Sequence, residues 1–269
     1  MNPPTVRTLF LAWRAPNTGS WYPVGRLTLH NGSYEFNYTR GAEKAARDSA
    51  FRPLPSFPHL ESVYESSDLF PLFRNRAPSA GREDYSDFVQ WVNLPLSPHD
   101  PLAVLARTGG RRSTDSFEVF PCPEPEPDGS YRVHFFVHGI AHLGPGHVER
   151  INHLQPGERL LLMWDMQNSH DECAQALRTN DSLFPGDRLI VGFCPRYLAQ
   201  DVLSVQFDCR GQGSNVEVSV VHLNLPPAPL EFRLLCCLRA CWPSSFSPCS
   251  NELYQPLVQI AHVPNLNQQ

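Results

Sequence analysis

Twenty-seven prolines spread over 269 residues set the first constraint on this chain. Proline has no amide hydrogen, and its ring clashes with the preceding helical turn, so each one interrupts a helix interior. That punctuation excludes long uninterrupted helices and predicts short strands, short helices and ordered loops. At 30.4 kDa the chain can bury a core sufficient for two modest domains. No apolar run approaches the ~18 residues of a membrane span. Met1 to Arg14 has neither the basic start nor the small-residue end of a secretory signal. A cytoplasmic protein without membrane contact is expected.

A formal net charge of -5 argues against coating nucleic acid by bulk attraction, but it is compatible with a local pocket gripping one or two phosphates. Lys44 is the sole lysine among many arginines, and the planar guanidinium suits two-point contacts to phosphate or carboxylate. Of the eight cysteines, Cys122, Cys173, Cys194 and Cys209 stand singly, while Cys236, Cys237, Cys241 and Cys249 crowd together. This spacing is not a disulfide framework, and it lacks the paired C-x2-C of a zinc knuckle. Small buried hydrophobes are the better account of these thiols.

Along the chain, Thr8 to Trp13, Tyr22 to Leu29 and Tyr34 to Tyr38 read as three antiparallel strands, with a turn at His30-Asn31-Gly32-Ser33. Helices are predicted over Ala42 to Ala50, Tyr85 to Val92 and Pro101 to Arg107. The last has Asp100 as its cap and Gly109-Gly110 as its stop. Pro53 to Pro58 should be extended. Phe117 to Phe120 alternates like a strand, and Pro121 to Gly129 is an acidic, proline-rich linker. Beyond it, Tyr131 to Gly139, Arg159 to Trp164, Arg188 to Cys194 and Val216 to Leu223 read as strands. Asn180-Asp181 reads as a turn, and Tyr197 to Leu203 as one short helix. Leu230 to Trp242 fits helical spacing without settling its type, and Pro264 to Gln269 should fray.

The stretch Asn168-Ser169-His170-Asp171-Glu172-Cys173-Ala174, followed by Val191-Gly192-Phe193-Cys194-Pro195-Arg196, carries the chemistry. Asp171 could accept a sugar hydroxyl or, equally, cap a loop amide. His170 could stack on a base, and Asn168 could fix the loop. Arg196 is a phosphate-contact candidate, aimed by the fixed φ of Pro195. Tyr197 is either a base platform or a core ring. A secondary basic patch, Arg107, Arg111 and Arg112, flanks two glycines. It follows a helix, whose C-terminal end favours cations over phosphates, so these arginines could instead pair with Asp100 and Asp115. His134 and His138 lie about 13 Å apart along one strand, too far to share an ion, and no metal or other cofactor is expected. Ser169-His170-Asp171 holds the three triad types only as sequence neighbours, with no nucleophile elbow. Asp165, Asp171, Glu172, Asp181 and Asp187 keep a metal-dependent nuclease as an alternative.

Several elements of the second half recur in family order. Phe136-Val137-His138-Gly139 comes first, then Pro156-Gly157-Glu158 leading into Arg159 to Leu162. Next come Asn168, His170, Asp171 and Ala174, and finally Gly192, Phe193, Pro195, Arg196 and Ala199. In this, residues 131 to 206 resemble the HIRAN domain, a small barrel-like module fused to helicases and nucleases and also found alone. The resemblance implies an OB-type barrel binding single-stranded DNA at a free 3' end. Asp171 would accept the terminal hydroxyl's hydrogen bond, and His170 stands where the family has a base-stacking tyrosine. Ala141-His142 replaces an Arg-Tyr pair, a departure that puts end specificity in doubt. The first half more faintly resembles the N-terminal subdomain of HipA-type toxin kinases, at Tyr34 to Tyr38, Leu69 to Arg76 and Asp100 to Ala106. No kinase core follows.

The expectation is a mostly β protein with short helices (α+β), in which a small antiparallel sheet domain (1–120) and a linker (121–130) precede an OB-like, HIRAN-like β-barrel domain (131–223). A C-terminal extension (224–269) of helix or loop then ends in a frayed tail. The expected function is non-catalytic recognition of single-stranded DNA, at a 3' end. Asp171, His170, Arg196, Asn168, Tyr197, His142 and Phe193 would form the interface, and the first domain would supply a protein contact. A protein-interaction or antitoxin-like module without DNA binding is the other alternative.

Overall fold

Leu9-Phe10-Leu11-Ala12 is buried at every residue, as an interior strand covered on both faces requires. The computed structural model describes residues 8–79, 81–94, 100–180, 188–210 and 216–258. In it, β1 (Thr8–Arg14) lies between β2 (Trp21–His30) and β5 (Phe117–Pro121). With β3 (Ser33–Tyr38) and β4 (Val63–Ser66) they form an antiparallel sheet of order β4-β3-β2-β1-β5. Asn31 and Gly32 both take positive φ, so that His30 pairs directly with Ser33, the tight hairpin that Asn-Gly favours.

One face of this sheet, with Leu9, Leu11, Phe36 and Tyr38, packs on α1 (Arg40–Ser49) and α2 (Pro71–Arg74). Pro53 to Pro58 is not extended throughout: the chain turns at Pro55 and Ser56. The Phe57 ring stacks on Phe36 at 4.0 Å, and that buried contact outweighs the proline preference. In α3 (Tyr85–Trp91) the Asp84 carboxylate leaves the helix uncapped and pairs with Arg82 instead. In α4 (Pro101–Thr108) the Asp100 carboxylate accepts the Leu102 amide at 2.9 Å, and Gly109 closes the helix in the left-handed region.

The second sheet contains β6 (Ser130–Phe136), β7 (Arg159–Trp164), β8 (Gln175–Arg178), β9 (Ile190–Phe193), β10 (Glu217–Leu223) and β11 (Leu234–Cys241), in the order β6-β11-β10-β7-β8-β9. A lone bridge, His138↔Phe193, joins its two edges. The architecture is therefore mixed α+β with an open, curled sheet resembling a partial barrel, where sequence led to a barrel. Leu230 to Trp242, expected in a C-terminal extension of helix or loop, instead supplies a 3-10 turn (Leu230–Phe232) and β11, an interior strand. Leu234, Cys236 and Leu238 face the barrel core, while Leu235 meets Val92, Val104 and Phe136. Burial on both sides removes the alternation that marks a strand, so the apolar run matched a helix equally well.

The helix after Pro195 is α6 (Arg196–Arg210), longer than the expected Tyr197 to Leu203. No proline occurs between Pro195 and Pro226 to stop it, and Leu198, Ala199, Val202 and Val205 bury one stripe at helical spacing. Two clusters cross between the sheets. Phe88, Val92 and Val104 meet Phe136 and Leu235, and Phe10, Ala12 and Phe120 meet Tyr254 and Tyr197. Beyond β11 the chain returns to the first sheet, where the Leu257 amide donates to the Tyr38 carbonyl at 2.9 Å. Among the described residues no helix is long and apolar enough to cross a membrane. Asp181, with the turn placed on it, Asp187 and the tail Pro264 to Gln269 lie outside the described residues.

Candidate nucleic-acid interface

The seam of the curled sheet builds the site. His138 and Phe193 exchange both backbone hydrogen bonds, each at 2.9 Å. So close an approach leaves no room for a side chain on Gly192, which sits at φ +134 where a Cβ would collide with Val137 and the His138 carbonyl. Gly139 then turns the chain away at φ +80. Phe193, Cys194 and Arg196 are thereby set beside His138 and Gly139.

The loop between β7 and β8 is held by its own hydrogen bonds. The Asn168 side-chain carbonyl accepts the amides of His170 (3.0 Å) and Asp171 (3.1 Å), and its amide group donates to Asp165 at 3.1 Å. Asp171 Oδ1 accepts the Cys173 amide at 3.0 Å, an Asx turn, while Oδ2 stands 3.9 Å from Arg196 Nε. The Asp171 side chain is 20% exposed, so one oxygen secures the loop and the other borders the cleft. The side chains of Ser169, His170 and Asp171 form no relay.

The opposite wall comes from the first half of the chain. Arg14, Arg111, Arg112 and Phe117 line, with Asn168, His170, Asp171, Phe193 and Arg196, one cleft of about 430 Å³. Arg111 and Arg112 from the basic patch thus line the same cleft as Asn168, His170, Asp171, Phe193 and Arg196 from the second half. Arg111 and Arg112 have no carboxylate partner among the described residues. Asp115, expected as a partner for this patch, is taken by the buried Arg76 at 2.6 Å. Glu118 Oε1 lies 3.6 Å from His138 Nε2. Burial pushes the His138 imidazole below its usual value, and the Arg111 charge adds to this while Glu118 opposes it. His138 is thus a neutral hydrogen-bonding group at pH 7, and the net positive charge of the wall rests on guanidinium groups.

Three expected contacts stand elsewhere. Tyr197 has one ring face against Phe120, with centroids 4.7 Å apart and planes 13° from parallel, and burial drives its phenol well above the usual range. That face packs between the sheets, and the residue also lines an adjoining, larger cleft. His142 is exposed at the end of a 3-10 turn and lines neither this cleft nor its neighbour. Arg107 lies in that larger cleft, which shares Arg111, Arg112, Glu118 and His138 with the first. Sequence missed Arg14, Glu118 and His138 as wall residues, because only the β1–β5 pairing brings Arg14 and the Asp115–Glu118 stretch to the seam. Among the described residues no three His, Cys, Asp or Glu side chains are grouped to hold a metal ion.

No family model and no curated protein matches the chain. Among solved structures, a protein from Lactobacillus plantarum is similar at 20% identity and TM-score 0.30, over 42% of this chain and 97% of that one. The HIRAN domain of human HLTF is similar at 19% identity and TM-score 0.26, over 42% of this chain and 73% of that one. Both are weak structural resemblances of low identity.

Proposed function

We propose that this protein recognises single-stranded DNA without catalysing a reaction on it, and that the seam cleft receives the strand's 3' end. The observation that carries the reading is the convergence of unpaired guanidinium groups from one half of the chain with Asp171, His170 and Phe193 from the other. Arg111, Arg112 and Arg196 suit phosphate oxygens. The Phe193 ring and the exposed His170 imidazole offer faces for bases. The cleft-side oxygen of Asp171 is an acceptor for a terminal hydroxyl and repels a phosphate in the same place, which would favour an end over an internal position. Such a protein fits DNA repair, genome defence or toxin–antitoxin regulation in the cytoplasm.

A protein-interaction module is the second reading, favoured by the exposed apolar side chains Met163, Trp164, Met166 and Phe207. Fluorescence anisotropy with single-stranded and duplex oligonucleotides separates the two. Single strands should bind at low salt and duplex more weakly. Arg196→Ala should weaken all single strands alike and reduce the salt slope by about 0.7. No binding at low salt would leave the interaction reading, and cleavage that depends on a divalent metal would replace both with the nuclease.

A further inference from the structure

The larger cleft beside the seam, about 920 Å³, lies between the two halves of the chain and is lined by six arginines against three acidic side chains. Two of those arginines are already neutralised, Arg82 by Asp84 and Arg76 by Asp115, both at 2.6 Å. Arg74, Arg107, Arg111 and Arg112 have no carboxylate partner among the described residues. Arg107 is the most telling of these. It is half-buried, the one hydrogen bond it makes among the described residues goes to the Val92 carbonyl at 3.3 Å, and desolvation pushes its guanidinium below the usual value. An uncompensated charge in such a place costs free energy that an anionic ligand would recover.

The aromatic lining identifies the ligand class. Trp91 and Phe232 are half-buried at the cleft wall, and Phe232 is set edge-on to both Phe88 and Phe136, with centroids 5.9 and 5.2 Å away. Inorganic phosphate has no use for such rings, whereas bases do, and guanidinium groups interleaved with ring edges are the usual lining of a single-strand groove. The charges are also spread along the cleft. Arg107 and Arg111 both line it, on either side of the Gly109-Gly110 turn, and Arg74 and Arg112 line it as well. Successive phosphates of one strand could meet them.

We propose that a strand whose 3' end sits in the seam cleft continues into this second cleft, where Arg107 and Arg74 hold its upstream phosphates and Arg111 and Arg112 join the two sites. The inference rests on the single-strand reading above and assigns the first half of the chain a direct role in binding. The test compares 5'-labelled oligo-dT of three and ten nucleotides between 50 and 200 mM salt, for the full chain and for Arg74→Ala and Arg107→Ala. The ten-mer should bind more tightly and with the steeper salt dependence. Each variant should lower the ten-mer slope by about 0.7 and leave the trimer slope alone. Arg74 is exposed, so its variant should fold even if Arg107→Ala does not. Equal affinity for both lengths, or unchanged ten-mer slopes, would overturn the proposal. A 3'-phosphorylated ten-mer tells the two claims apart. If it binds as well as the free-ended strand while the arginine variants still lower its slope, the end-binding reading fails and the second cleft stands.

Discussion

Asp201 is the most informative residue to change first. It lies on α6, and burial raises its carboxyl from 3.8 to about 7, with only the Cys249 backbone N–H opposing the shift. Its Oδ2 is buried and has no hydrogen-bond partner. A carboxyl that holds its proton longer in the folded state stabilises the fold at low pH only. That stability is present below about pH 4 and is lost as pH rises through about 7. His134 works in the opposite sense. Burial, helped by Arg107 and Arg132, lowers its imidazole from 6.5 to about 4, so its contribution is present above pH 6.5 and lost as pH falls through 4. Between pH 4 and 6.5 the Asp201 slope opposes that of His134 and of the likewise lowered His138, and the parent protein should show a shallower profile than either kind of group alone would give. Asp201→Asn retains the acceptor for Cys249 and removes the titration. At ~1.4 kcal/mol for each pH unit between folded and unfolded titrations, the variant should gain up to ~4 kcal/mol over the parent by pH 8 and nothing at pH 4. The His134 and His138 slopes should then emerge unopposed. Urea unfolding at five pH values from 4 to 8 measures this, and a difference between the proteins that does not change with pH would refute the reasoning.

Gly192→Ala must place a Cβ against Val137 and the His138 carbonyl at φ +134. It should cost more than ~2 kcal/mol in urea unfolding and weaken strand binding, and a cost within ~0.5 kcal/mol would show that the seam is not closely packed. Asp171→Asn keeps an acceptor for the Cys173 amide, so it should change stability by less than ~1 kcal/mol while erasing any preference for a free 3' end; an intact preference would limit Asp171 to the loop. The two-domain division proposed at 121–130 predicts that limited proteolysis cuts first between Cys122 and Gly129. The pieces should stay associated through the clusters around Phe120 and Leu235. Primary cleavage at any other site would oppose the division.

Elements whose limits are local were legible in the sequence. The hairpin at Asn31-Gly32 and the ends of α4 follow from turn and capping chemistry within a few residues. The type of β11 was not, because Leu234, Leu235 and Cys236 are buried in succession, and that run hides the period of two that begins after it. Nor was the curl short of a closed barrel, since the edge contact is one bridge between residues 55 positions apart, His138 and Phe193. The residues around Asp171 and Arg196 stood out by type and order. Their neighbours Arg14 and Glu118 carried no signal, because partnership across a seam depends on strand pairing far along the chain. Tyr197 left both of its readings open for a related reason: the ring that covers one of its faces, Phe120, lies far back in the chain.

The central claim is that the seam cleft receives a 3' end, and equilibrium binding of one single-stranded oligonucleotide in two forms tests it most directly. One form carries a free 3' hydroxyl and the other a 3' phosphate, both measured by anisotropy at low salt with the unmodified protein. The account predicts tighter binding of the free end by tenfold or more, because the phosphate would replace a hydrogen bond to Asp171 with repulsion worth roughly 1.5–3 kcal/mol. Equal binding of the two forms, or tighter binding of the phosphorylated end to the arginines, would contradict it.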